Sequence, residues 1–144
     1  MCIEQRGFSL DTRLAADCIE MGHTHDCELL LFNNRLFHPW FILVPHTKES
    51  ELIDLEAEQL HNVMHQIGEL SRFVRHEFRP DKINAATIGN VVRQLHIHIV
   101  ARYHKDPCWP GTVWGYSETR EAYTPDEVQK IVNKLRDNTT LLAD

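Results

Sequence analysis

The sequence lacks what marks several protein classes. No apolar run approaches the roughly 20 residues a helix needs to cross a bilayer. The N-terminus, MCIEQRGFSLDTR, carries no apolar leader core. Both point to a cytoplasmic protein with no membrane partner. Cysteine is scarce: Cys2, Cys18, Cys27 and Cys108 are scattered, with no C-x-x-C pair. That argues against a disulfide framework and a cysteine zinc site, and fits a reducing compartment. An excess of positive charge is also missing. The net charge of −6 argues against a nucleic-acid polymer as partner. There is no internal repeat, low-complexity segment or linker, and 144 residues are read as a single domain, 1–144, able to bury one core.

Charge is unevenly spread. Residues 1–71 carry a net −8, residues 72–105 a net +5 and residues 106–144 a net −3. The basic third contains the run QLHIHIV, Gln94 to Val100, so a small anion is a candidate ligand there.

The periodicities predict an α+β fold on an antiparallel sheet. SLDTRLAADCIEMG reads as a short helix, with Ser9 as N-cap and Gly22 as stop. CELLLFNN and HPWFILVPH read as strands joined through a loop near Asn33–His38. Leu60, Val63, Met64, Ile67, Leu70, Val74 and Phe78 recur at spacings of three and four, which predicts a long helix from about Leu55 to Phe78 ended by Pro80. KINAATIG reads as a strand, Gly89-Asn90 as a turn and RQLHIHIVAR as another strand. TPDEVQKIVNKLRDN reads as a helix with Thr124 and Glu127 in a capping box and a stripe of Val128, Ile131, Val132 and Leu135.

In a strand, alternate residues share a face. Gln94, His96, His98 and Val100 therefore share one face, and Leu95, Ile97, Ile99 and Ala101 form the core side. The two imidazoles stand side by side, roughly 7 Å apart at Cα. Three readings compete. The histidines are polar residues of an open sheet face. Alternatively, they are two ligands of a metal, with HTHDC (His23–Cys27) as the source of a third. Or one of them is a nucleophile, since neutral imidazole attacks phosphorus near pH 7 when its other nitrogen is held by an acceptor. His61 and His65, at i,i+4, read as surface residues, and no metal ligand is assigned.

The segment GNVVRQLHIHIV, Gly89 to Val100, resembles the signature of the histidine triad (HIT) superfamily. LLLFNN with PWFILVP, the long helix, KINAATIGN and WPG are similar to that family over roughly residues 27–115. The resemblance implies a HIT-like sheet of about five strands with a long and a C-terminal helix, assembled as a two-fold homodimer. The apolar PWFILVP hairpin is the expected contact, and WPG is expected near the active site, contributed by the partner subunit. It implies that His96 is the nucleophile, giving a nucleotidyl-histidine, and that His98 contacts phosphate and assists the leaving group. Gly89 and Asn90 would bind phosphate, and Asn34 stands where an acidic residue holds ribose. Gln94 replaces the first histidine, whose main-chain carbonyl does the orienting. Asn90 and Val91 stand for Gln and Ser/Thr. The implied activity is a nucleotide phosphoramidate or phosphoester hydrolase, or a nucleotidyl transferase. It would act on a purine nucleoside monophosphate derivative with no cofactor. A non-catalytic nucleotide-binding module is the alternative.

Overall fold

The computed structural model describes residues 8–116 and 119–144; Cys2 and the first seven residues of the N-terminal reading lie outside them. In chain order the elements are α1 (Thr12–Asp17), β1 (Cys18–His23), β2 (Cys27–Phe32) and β3 (Trp40–Pro45). A single 3₁₀ turn at Leu52–Asp54 follows. Then come α2 (Ala57–Phe78), β4 (Lys82–Ala86), β5 (Ile97–Arg102) and α3 (Pro125–Asn138). The five strands form one antiparallel sheet in the order β1-β2-β3-β5-β4. This is the α+β arrangement expected from the sequence.

α2 and α3 cover one face of the sheet. Leu29 and Leu31 of β2, Phe41 and Leu43 of β3, and Ile97, Ile99 and Ala101 of β5 pack there against Val63, Leu70, Val74, Ile131 and Leu135. Each such apolar side chain contributes roughly 1.5–3 kcal/mol when fully buried. Met64, expected in the α2 stripe, is 53% exposed, and Phe73 is buried instead. α2 ends where Arg79 adopts a left-handed conformation (φ 49°) with its N–H on Arg75 O, and Pro80 cannot continue the helix. The α3 capping box forms as expected, Thr124 Oγ1 accepting from Glu127 N–H and Glu127 accepting from Thr124 N–H.

The opposite face is also covered, which corrects the open-face reading. Leu30, Trp40, Ile42, Val44 and Val100 point there and pack with Leu14, Phe37 and Val113. β3 is therefore buried along its whole length and paired on both sides. PWFILVP has no free edge to offer a partner; the free edges belong to β1 and β4.

The stretch from Ser9 to Gly22 splits in two. Only Thr12–Asp17 is helical, and Asp11, not Ser9, is the cap, its carboxylate accepting from Arg13 N–H. Cys18–His23 is an edge strand on β2, with a register shift between Glu20 and Gly22. A period of two, with Ile19 and Met21 inward, outweighs the helical reading because pairing with β2 satisfies the backbone. Gly22 (φ +140°) sits at that irregularity rather than stopping a helix, and a Cβ there would meet Leu142 at 3.1 Å.

Candidate functional site

Pairing positions the histidines. β5 begins at Ile97, so the ladder takes in His98 opposite Ile42 and Ala86, while His96 stands one residue before it. Both imidazoles project to the face away from α2. They are nearly buried, at 6% and 7% exposure, with ring centroids 4.8 Å apart.

Their partners fix opposite tautomers. His96 Nδ1–H donates to the main-chain carbonyl of Gln94 at 2.6 Å. A carbonyl can only accept, so the neutral ring keeps its lone pair on Nε2. Trp40 Nε1–H donates to His98 Nδ1 at 3.0 Å. An indole can only donate, so His98 carries its proton on Nε2. Trp40 pairs with Val100 on the neighbouring strand, the diagonal position from which a long side chain reaches a same-face neighbour. Burial, and then the neighbouring His96, push the His98 pKa down to about 3. At neutral pH His98 thus presents an uncharged N–H to the cavity.

Two measurements follow. Ring ¹⁵N NMR should show His98 as the Nε2–H tautomer alone, and Trp40→Phe should give a mixed tautomer population at that ring. The folded-state pKa lies below the unfolded value of about 6.5. His98 therefore contributes fully above pH 6.5, and its contribution is lost as pH falls from 6.5 towards 3, at up to about 1.4 kcal/mol per unit. Urea unfolding at pH 7 and pH 5 should show wild type losing about 1–2 kcal/mol more than His98→Gln.

The histidines face a cavity of about 590 Å³, large enough for a small-molecule ligand. Phe32, Phe37, Trp40, Trp114 and Tyr116 line it, with Ile88–Val92 on one rim and Arg13, Leu14 and Asp17 of α1 on another. Phe32 stacks on Trp40 with centroids 4.3 Å apart, and Arg120 lies over Phe32 at 4.7 Å while pairing with Asp17 at 3.2 Å.

Of the residues singled out in the sequence, His96, His98, Asn34, Gly89 and Asn90 all line this cavity. Gly89 needs its freedom for a backbone φ of +70°, since a Cβ would meet only Val92 O at 3.8 Å. Asn34 is 4% exposed and its Oδ1 already accepts from Leu36 and Glu121 N–H; what it has left for a ligand is its amide donor. The Gln94 side chain does not enter the cavity but bonds Ser9 and Asp11.

The expected source of positive charge is corrected. No cation of the basic third lines the cavity; Arg13 and Arg120 do, while Arg72 and Arg102 are held by Glu69 and Asp106. Trp109 of WPG lies against His104 and Arg102, and it is Val113–Tyr116 of the same chain that line the cavity. Among the described residues no group of three or more His, Cys, Asp or Glu side chains is placed to hold a metal ion, and Cys18, Cys27 and Cys108 are free thiols. Trp40, Arg13 and Arg120 escaped the sequence reading. Alternation does place Trp40 on the same face of β3 as Ile42, but only the β3–β5 register brings it to His98.

Comparisons with known proteins agree with this geometry. No curated protein sequence matches the chain. Among solved structures, a histidine triad protein from Sinorhizobium meliloti superposes with a TM-score of 0.87 at 33% identity, over 92% of this chain and 98% of that one. One from Marinobacter aquaeolei gives 0.85 at 38%, over 90% and 94%. Plasmodium falciparum diadenosine triphosphate hydrolase shares the fold at a TM-score of 0.62 and 15% identity, over 92% and 83%. The HIT domain model matches residues 16–105, from the end of α1 through β5. With its sheet, its histidine strand and these relatives in agreement, the chain belongs to the histidine triad (HIT) family.

Proposed function

We propose that this protein is a nucleotide hydrolase or nucleotidyl transferase that works through a covalent nucleotidyl-histidine. One observation carries the reading: two adjacent imidazoles are held in opposite tautomers, one presenting a lone pair and the other an N–H. The substrate is a purine nucleoside 5′-phosphoramidate or phosphoester, its base against the aromatic wall. His96 Nε2 attacks the α-phosphorus, forming an N–P bond as the bond to the leaving group breaks. The His98 Nε2–H donates to a phosphate oxygen as negative charge grows there. Being neutral, His98 stabilises that charge, and the leaving amine or oxyanion takes its proton from solvent. Water then attacks phosphorus, the N–P bond breaks, and the nucleoside monophosphate leaves with His96 restored. With phosphate as acceptor, the same intermediate yields a nucleoside diphosphate.

A homodimer is part of the proposal, with the free edge of β4, next to the histidine strand, as its seam. A second reading, a module that binds nucleotide without turnover, is favoured by one observation: the Asn34 oxygen is committed to backbone N–H groups.

The test is acid-quenched mixing with adenosine 5′-phosphoramidate followed by intact-protein mass spectrometry. A nucleotidyl-sized adduct is expected on the wild type. Absence of both adduct and released AMP, with AMP binding intact by calorimetry, would sink the hydrolase and leave the binding module.

A further inference from the structure

Gln94 stands where the sequence departs from three alternating histidines. Its side-chain Oε1 accepts from Asp11 N–H at 2.8 Å, and its Nε2 donates to Ser9 O at 2.9 Å. The amide thus makes the donor–acceptor pair that a neighbouring strand would make. An imidazole could not: its two nitrogens face diverging directions, whereas the amide's oxygen and nitrogen lie side by side. Among the described residues, these two bonds are the only hydrogen bonds from residues 8–16 to a distant part of the chain. The rest of this segment is held by packing, of Leu10 and Leu14 among the buried side chains around Trp40 and of Phe8 against the His46 ring at 4.9 Å. The far end of α1 is held at Asp17, whose carbonyl accepts from Asn33 N–H at 3.0 Å and whose carboxylate pairs with Arg120 at 3.2 Å.

What these ties hold is a wall of the cavity. α1 has six residues, too few to be helical alone. With its last residue anchored at Asp17, the place of its first turn depends on the Gln94 bonds and the packing of Leu10 and Leu14. It supplies Arg13, Leu14 and Asp17 to the lining. The main-chain carbonyl of the same Gln94 takes the His96 Nδ1–H. One residue thereby serves the wall with its side chain and the nucleophile with its backbone.

We propose that Gln94 is a positioning residue for substrate binding, its side-chain amide fastening Ser9–Asp11 to the histidine strand so that α1 stands as a wall of the nucleotide cavity. This rests on the reading that a nucleotide fills that cavity. Affinity then depends on the Gln94 side chain, and the covalent step on its carbonyl, which any residue at position 94 keeps.

The test compares wild type with Gln94→Ala and Gln94→Glu. Glutamate keeps the length and an acceptor for Asp11 but has no donor for Ser9. AMP binding is read by calorimetry, and turnover with adenosine 5′-phosphoramidate. In both variants the AMP Kd and the KM should rise about 10-fold or more, with kcat within about 3-fold of wild type. Amide exchange should speed up in residues 8–17 and stay at the wild-type rate in α2.

Faster exchange at 8–17 with an AMP Kd within about 2-fold of wild type overturns the proposal, because the wall then does not serve the site. A fall in kcat above about 10-fold with Kd retained overturns it too, since Gln94 would then act in the chemistry. Faster exchange throughout α2 in both variants would make the residue a general structural one and also overturn it. Failure of the reading looks different. A wild type that binds AMP without turnover sinks the hydrolase while the Kd comparison still decides on Gln94; a wild type that binds no AMP sinks both.

Discussion

His96→Ala is expected to form no nucleotidyl adduct and to turn over on the order of 10⁴-fold or more slowly than the wild type. The size follows from what is removed. Without the imidazole, water must attack phosphorus directly, and no neighbouring group takes its place. His98 cannot substitute, because its Nδ1 is occupied by the Trp40 N–H and its Nε2 carries the proton. AMP binding should change little, since the aromatic wall and α1 do not depend on the His96 ring. Calorimetry on the variant therefore separates loss of chemistry from loss of binding. An adduct of undiminished yield in His96→Ala would move the nucleophile elsewhere.

The largest stability effect is expected at Arg102. Its side chain and that of Asp106 are 2% and 3% exposed. The guanidinium donates to both oxygens of Asp106 at 2.8 and 3.1 Å, to Asn84 Oδ1 at 2.8 Å and to Gly111 O at 2.7 Å. Asp106 also accepts from the N–H of Tyr103 and of Cys108. Arg102→Met leaves a buried carboxylate without its partner, which costs about 3–5 kcal/mol. For a chain of this length that lowers Tm by roughly 10–15 °C. Arg102→Lys should recover little, because a single ammonium cannot serve three acceptors in a plane. The double variant Arg102→Met with Asp106→Leu should melt above the single one, since no lone charge is left buried. The network pins the loop that leads from β5 to Val113–Tyr116, so Arg102→Met should also weaken AMP binding. A melt within about 2 °C of wild type would show the network to be of no net worth.

The residues differ in how far they could be read in advance. α2, α3 and the two faces of 96–101 follow from spacing alone, and spacing is a property of neighbouring residues. Gln94, expected on the histidine face of a strand from Arg93, precedes β5 and turns its side chain to Ser9 and Asp11. The same local rules misread Cys18–His23, six residues whose pairing with β2 decided between helix and strand. His96 and His98 were identified as a pair, and they do share a cavity with Asn34, Gly89 and Asn90. The resemblance implied their division of labour, but its tautomeric basis was not legible, because the Nδ1 of His98 is capped by Trp40, 58 residues away. The role first expected for charge also failed: no Lys or Arg of the basic third lines the cavity, Arg72 and Arg102 pairing with Glu69 and Asp106, and cations from α1 and from the segment before α3 reach it instead.

By itself, then, the sequence determined the two long helices and the strands after β1, that His96 and His98 lie on one face, and that a carbonyl precedes the first of them at the right distance. Those are consequences of the pleat and the helical turn, which act over a few residues. Only the tertiary structure decided that the histidine face is covered, that Trp40 sets the tautomer of His98, and that the Gln94 amide turns away to hold a segment 83 residues upstream. The reason is register. Which side chains meet across strands depends on how distant segments align, and no local period in the chain specifies that alignment.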